Sequence, residues 1–398
     1  MPSLEIKSQR KSYVFAKLEA IAALVGTIIG AGVFTLPKIA EESGLLPTLL
    51  WLGIVLILII YLHLAYGEIV LRTPKEFRLP GYAGYYLGEP SRKLMLLTTF
   101  FTFSFSLLIY LFLGGQFLST FLTLFLPSHI LPSGFLVIFL WLLLSLAIFS
   151  KQDHASRINL ILSFLLLILF VVIAFFAFSR FQSANLDLFN FSYKWSWLIP
   201  YGVLFYALNG MVAVPEAISV IKRKRVNQSE VKGIIITGIL ISAFCYLLFI
   251  ISVLGATGSS TTLEAIGGLK ILLGNGIVII GAILGLLAVI TSYLIFAIYI
   301  KNSFIHDFHW SPFISNFVVV LGPLVLYFAH MMNIVKLISF MGGMLGGFEG
   351  SIVLFTLYRA KKKSDLAPSY EVPLNHLLLV FFFFALLAGA LCQIFLIY

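Results

Sequence analysis

Eleven stretches of this chain are long and apolar enough to cross a bilayer, and they constrain its fold more than any other feature. A crossing needs about 20 apolar residues. Runs that meet this lie near 16–40, 46–71, 94–126, 134–150, 157–179, 196–220, 231–256, 275–300, 312–331, 333–358 and 374–398. The joints between them are short and marked by Gly44 and Pro47, Pro74 to Pro90, Pro127 to Pro132, Arg180 to Lys194, and Ala360 to Pro373.

A content of 61% hydrophobic and 11% charged residues, with mean hydropathy +1.07, exceeds what a soluble core needs, so the expected class is an all-α integral membrane protein. A net charge of +10 would suggest nucleic acid in a soluble protein; here it raises the question of which side the charges occupy. With the N-terminus placed inside, every Lys and Arg falls on the inner side except Lys38, Arg180, Lys194, Lys270 and Lys336. That bias predicts a cytoplasmic N-terminus and an outer C-terminus in the cell membrane, and makes the basic runs topology signals. Cys245 and Cys392 both lie in apolar runs, which supports neither a disulfide framework nor a metal site. The basic start, Met1 to Lys17, is followed by no small-residue cleavage site, so the first run reads as a retained span.

The first span is interrupted. Val25 to Pro37 reads V-G-T-I-I-G-A-G-V-F-T-L-P, with Gly26, Gly30 and Gly32 at mid-depth. Each interior Gly costs about 1 kcal/mol of helix stability relative to Ala, and main-chain groups released in hydrocarbon cost several kcal/mol more unless something bonds them. A break here implies a lined cavity; the alternative is close packing of a neighbouring helix on small residues. The sixth span repeats the pattern, because Gly32-Val-Phe-Thr-Leu-Pro37 aligns with Gly210-Met-Val-Ala-Val-Pro215. Five spans separate the two, so the second copy enters from the opposite side and the repeat is inverted. The expected organisation is a cytoplasmic segment 1–15, a first five-helix repeat 16–179, a second 196–358, and an eleventh helix 374–398.

Two broken helices crossing at mid-depth expose amides at one half-helix end and carbonyls at the other. The amide end suits a carboxylate and the carbonyl end an ammonium or a cation, so an amino acid fits both. The carboxylate is assigned to the amides of Gly30, Ala31 and Gly32, and the amine to carbonyls near Ile28 and from Phe205 to Leu208.

These residues carry a resemblance. V-G-T-I-I-G-A-G-V-F-T-L-P resembles the first-helix signature of the amino acid–polyamine–organocation (APC) transporters. Pro200 to Glu216, P-Y-G-V-L-F-Y-A-L-N-G-M-V-A-V-P-E, resembles the sixth helix of the amino acid/auxin permease and aromatic amino acid permease branches. Tyr110 to Leu118 and Leu286 to Leu294 also fit those branches. The resemblance implies a LeuT-type fold of five-plus-five inverted helices with helices 1 and 6 broken and one helix appended. It also implies that Tyr110 reaches toward the substrate and that Phe205 and Tyr206 line the pocket. Asn209 departs from the small residue expected there, which leaves pocket size and side-chain preference open.

Ala288, Thr291 and Ser292 share one face of the eighth span, and their oxygens suit a small cation. In sodium-coupled relatives of this fold that face meets the first break, which implies a sodium site of the Gly26, Ile29 and Ala288 carbonyls with the Thr291 and Ser292 hydroxyls. The competing reading is that both hydroxyls bond back to their own helix. Some proton-coupled members place a lysine in the fifth helix; Ser163 to Leu166 has none, which favours sodium over a proton as coupling ion. Glu68, Glu216 and Glu349 are candidate proton relays because ionisable groups at membrane depth are costly; each is equally open to a structural role. His63 and His330 read as packing or hydrogen-bonding histidines. Gly258 to Gly274 is too polar at its start and too short to span, and is expected as a short amphipathic helix on the outer surface, either a gate or a linker.

The function expected is secondary active uptake of an amino acid by alternating access, driven by sodium or else a proton, with no organic cofactor, no covalent chemistry and no nucleic acid partner. A membrane enzyme acting on lipid-linked substrates would show clustered acids, histidines or basic residues in a large surface loop. A channel would show a repeated pore segment. Neither feature is present in the sequence.

Overall fold

A computed structural model of the chain describes residues 2–125, 132–149, 155–189, 195–329, 334–364 and 366–397. Lys151, Lys194 and His330 lie outside these segments. Every regular element among the described residues is helical. In chain order they are α1 (Pro2–Ile28), α2 (Leu36–Ser43), α3 (Leu45–Arg72), α4 (Leu79–Leu87), α5 (Glu89–Leu122), α6 (Ser133–Phe149), α7 (Ala155–Phe178) and α8 (Ile199–Leu208). There follow α9 (Val214–Arg223), α10 (Glu230–Thr257), α11 (Ile266–Leu273), α12 (Asn275–Asn302), α13 (Pro312–Phe328), α14 (Ile334–Phe340), α15 (Gly347–Lys363) and α16 (His376–Ile397).

Among the described residues, seven helical runs are long and apolar enough to cross a membrane, counting Ser196–Arg223 (α8 with α9) and Ile334–Lys363 (α14 with α15) as one each, and α1 with α2, bent by 49° at their junction, makes an eighth. The sequence runs at 134–150 and 312–331 give two apolar helices of 17 residues, Ser133–Phe149 and Pro312–Phe328, and the run at 157–179 gives α7, apolar over Phe164–Phe178. A 17-residue helix such as α6 or α13 rises only about 26 Å, short of a core about 30 Å thick. Among the described residues, up to eight spans meet the length and apolarity of a crossing, against eleven read from the sequence.

The same order of elements occurs twice. A broken helix is followed by a helix of 28 residues (α3, α10), a short helix (α4, α11), a long helix (α5, α12) and a helix of 17 residues (α6, α13). The long helices of the two sets, α5 and α12, share the most extensive contact among the described residues, and α10 packs on α1, α2, α3 and α7. The segment 258–274 is a 3-10 turn at Gly258–Ser260 and the helix α11, so its helical part begins later than the sequence suggests.

The tenth apolar run is irregular. Between α14 and α15 the residues Met341–Gly346 form a π-helical stretch, and α8 packs against it. A Cβ on Gly342 or Gly202 would run into the facing backbone, at Gly202 and Ser339 respectively, so these two segments pack main chain to main chain.

Candidate functional site

Both expected breaks are present. α1 ends at Ile28, Gly30 is extended (φ −102°, ψ −165°), and Ala31–Thr35 form a 3-10 turn that leads into α2. In a continuous helix the Gly30 N–H would bond Gly26 O; instead it bonds Ile28 O at 2.8 Å. The carbonyls of Gly26, Thr27 and Ile29 thereby lose their ordinary helical donors, and the Ala31 and Gly32 amides open a turn with no carbonyl behind them in it. Gly30 is thus less available to a carboxylate than Ala31 and Gly32.

The second break falls between α8 and α9. Asn209 leaves the helical region (φ −76°, ψ 102°), and its Oδ1 accepts from Met211 N–H at 3.3 Å. The side chain where a small residue was expected therefore replaces a lost helical bond. The Gly210 N–H donates to His63 Nε2 at 3.0 Å, while His63 Nδ1 lies 2.8 Å from Ile59 O. One neutral tautomer, protonated at Nδ1, satisfies both. His63 is thus a hydrogen-bonding histidine, and what it bonds is the main chain of the break. A Cβ on Gly210 would strike Ile28, so the two breaks touch there.

Tyr246, wholly buried on α10, joins them. Its hydroxyl lies 2.5 Å from Ile28 O and 2.8 Å from Ala207 O, so the carbonyls assigned to a substrate amine converge, with a phenol between them. Around Gly30 lie Ser292 Oγ and the Tyr110 hydroxyl, 2.8 and 3.5 Å from where a Cβ would stand. Tyr206 lies against Gly32, and Tyr110 neighbours Tyr206. Phe205, by contrast, turns toward Tyr201 and Gly346, away from the breaks, and Leu208 lies in the core.

Of the five groups expected to hold sodium, the Gly26 and Ile29 carbonyls are released by the break, and Ser292 Oγ, beside the Tyr110 hydroxyl, makes no well-aligned hydrogen bond among the described residues. Thr291 Oγ1 donates to Leu287 O at 2.8 Å and to Ala288 O at 3.1 Å. Donating the hydroxyl hydrogen leaves both oxygen lone pairs for a cation, so back-bonding and cation binding are compatible there.

A cavity of about 40 Å³ adjoins the second break, walled by Tyr206, Asn209 and Met211 from the break, Thr102 and Phe103 from α5, Phe296 and Tyr299 from α12, and Glu349 from α15. Tyr66 and Leu79 in its wall place it toward the Arg72 end of α3. The volume suffices for water, not for an amino acid.

The three acids separate. Glu68 is wholly buried but compensated by Arg72 Nε at 2.8 Å, Lys361 Nζ at 2.9 Å and the Val372 N–H at 2.5 Å, and so fastens residues 366–375 to the end of α3. Glu216 is exposed in the first turn of α9. Glu349 is buried and lines the cavity.

Interrupted helices joined at their breaks beside a small cavity fit a LeuT-fold membrane transporter and not an enzyme, and the comparisons agree. Two of the solved structures that share the fold illustrate it. One is MhsT in complex with L-phenylalanine (17% identity, TM-score 0.64, covering 95% of this chain and 97% of that one). The other is Mhp1, a nucleobase-cation-symport-1 family transporter, in a closed conformation with bromovinylhydantoin bound (13% identity, TM-score 0.60, covering 95% and 91%). The tryptophan/tyrosine permease family matches residues 16–393, and the chain belongs to it. A search of curated proteins finds no match.

Proposed function

We propose that this permease is a secondary active transporter that takes an amino acid into the cell by alternating access. The N-terminus is inside and the C-terminus outside, with α6, α7 and α13 completing eleven spans of an inverted repeat within the APC superfamily. The convergence of the two breaks on the Tyr246 hydroxyl is the observation that carries this reading, because it brings amides and carbonyls released from helical bonding to one place. The Ala31 and Gly32 amides take the carboxylate, and the carbonyls of Ile28 and Ala207, held in place by the Tyr246 hydroxyl, take the ammonium. An aromatic side chain suits the cavity walls of Phe103, Tyr206, Phe296 and Tyr299, and agrees with the family description and with the phenylalanine named for MhsT.

Sodium is the preferred coupling ion, held by the Gly26, Ile29 and Ala288 carbonyls with Thr291 and Ser292. A proton is the second reading, favoured by the buried carboxyl of Glu349. Uptake of labelled tyrosine, tryptophan and phenylalanine into proteoliposomes, with sodium and proton gradients imposed separately, tests both. Stimulation by neither gradient overturns coupled transport. Sodium dependence that survives replacement of Thr291 and Ser292 by Ala removes those hydroxyls from the site.

A further inference from the structure

Glu349 differs from Glu68, also buried, in having no cation beside it among the described residues. Its side chain is 5% exposed, and the hydrogen bond it receives comes from Thr102 Oγ1 at 2.9 Å, across from α15 to α5. It sits two residues into α15, roughly 18 Å along the helix from Lys361. The stretch before it is π-helical and continuous with α15, so Glu349 does not serve the stray amides of a helix start.

The groups facing it from neighbouring elements are neutral or otherwise engaged. The cavity wall presents Tyr66 from α3, Thr99 and Thr102 from α5, Tyr299 from α12, and Tyr206 and Asn209 from the second break. His63 on α3 is held by Gly210 and Ile59, and Arg72 and Lys361 by Glu68 and Glu371. Arg78 lies over the ring of Tyr299. Tyr82 on α4 packs edge-on against Tyr66, and Asp307 lies against Gly81 of α4. From α16, Gln393 accepts from Ser339. A carboxylate without a counter-charge in such surroundings is costly, and it becomes neutral by taking a proton.

We propose that Glu349 is the proton-binding group of the transport cycle: the carboxyl is protonated while the cavity is closed against Thr102 and releases its proton when cytoplasmic water enters between α5, α12 and α15. This rests on the alternating-access reading above and adds a proton site to it, distinct from the carbonyl and hydroxyl oxygens offered to sodium. No bond beyond the O–H forms or breaks. Because α15 carries the carboxyl and α5 the threonine, separating the two helices to open the cavity also removes the acid's hydrogen-bond donor.

The test is made on the full chain in proteoliposomes with labelled L-tyrosine as probe and a pH-sensitive dye inside. Exchange of tyrosine across the membrane without gradients reports alternating access alone; acidification of the lumen on adding tyrosine outside reports proton movement with substrate. The wild type is expected to do both. Glu349→Gln is expected to continue exchange while luminal acidification is lost and uptake no longer responds to external pH. Glu349→Asp, which draws the carboxyl back from Thr102, is expected to keep acidification with a displaced pH midpoint. A wild type that exchanges tyrosine but moves no proton overturns the proposal, as does acidification by Glu349→Gln at the wild-type ratio to tyrosine. Should the Gln variant not fold, an undisplaced midpoint in Glu349→Asp overturns it. Absence of exchange in the wild type instead refutes the transport reading, and this inference with it.

Discussion

Tyr246→Phe isolates the contact that joins the two breaks. The ring is wholly buried and the change conserves nearly all its volume, so packing is preserved and the hydroxyl alone is lost. Ile28 O retains the Gly30 N–H at 2.8 Å, but Ala207 O loses its donor, because the Met211 N–H that a continuous helix would supply goes to Asn209 Oδ1. One buried carbonyl left unpaired costs about 1–3 kcal/mol, a factor of about 5 to 150 in the population of the arrangement that needs it. Apparent affinity falls with the fraction of competent protein. The half-saturating tyrosine concentration in proteoliposome exchange should therefore rise by about 5- to 150-fold, while the detergent-purified variant still melts cooperatively. An unchanged half-saturating concentration in a folded variant would refute the role given to the hydroxyl.

Gly210→Ala places a methyl against Ile28, so it should lower the melting temperature by overpacking worth about 1–3 kcal/mol; adding Ile28→Val should restore part of the loss, and no restoration would place the strain elsewhere. Glu68→Gln removes the charge that compensates Arg72 and Lys361, and breaking a buried pair on one side costs about 3–5 kcal/mol. It should depress melting temperature and yield while leaving the half-saturating substrate concentration of the surviving protein unchanged; a selective change in that concentration would make Glu68 functional. Lys361 and Arg72 hold the Glu371 carboxyl below its ordinary value of 4.5. Because the folded value is depressed, these pairs persist at neutral pH and are lost as pH falls through that depressed value. Limited proteolysis of residues 366–375 by an acid-active protease should accordingly begin only below the ordinary carboxylate range, and release already at neutral pH would contradict the pairing.

What the sequence discloses follows from how local each signal is. Glycines inside an apolar run are a local anomaly, so the interruptions at Gly30 and at Asn209–Gly210 are legible, as is the pair of prolines that starts each following half-helix. The partners of those interruptions are not local. His63 reaches Gly210 across 147 positions and Tyr246 reaches Ile28 across 218, and each looks like an ordinary buried residue of an apolar helix until the fold is assembled. Glu68 and Glu349 are likewise indistinguishable by hydropathy; only the arrival of Arg72, Lys361 and Val372 at one, and of Thr102 alone at the other, separates a structural acid from an uncompensated one. Phe205 was misdirected for a similar reason, since one step along a helix turns a ring by about 100° and sends it to Gly346 instead of to the breaks. The π-helical stretch could have been suspected from Gly342-Gly343 and Gly346-Gly347, which crowd one apolar run with residues that weaken a regular helix.

The most direct measurement is an experimental density map of the protein with tyrosine bound. The expected map has both helices interrupted at Gly30 and Asn209–Gly210, with the ligand carboxylate about 3 Å from the Ala31 and Gly32 amides and its ammonium at the Ile28 and Ala207 carbonyls. A ligand seated away from both interruptions, or either helix continuous through its glycines, would contradict a site built from main-chain groups.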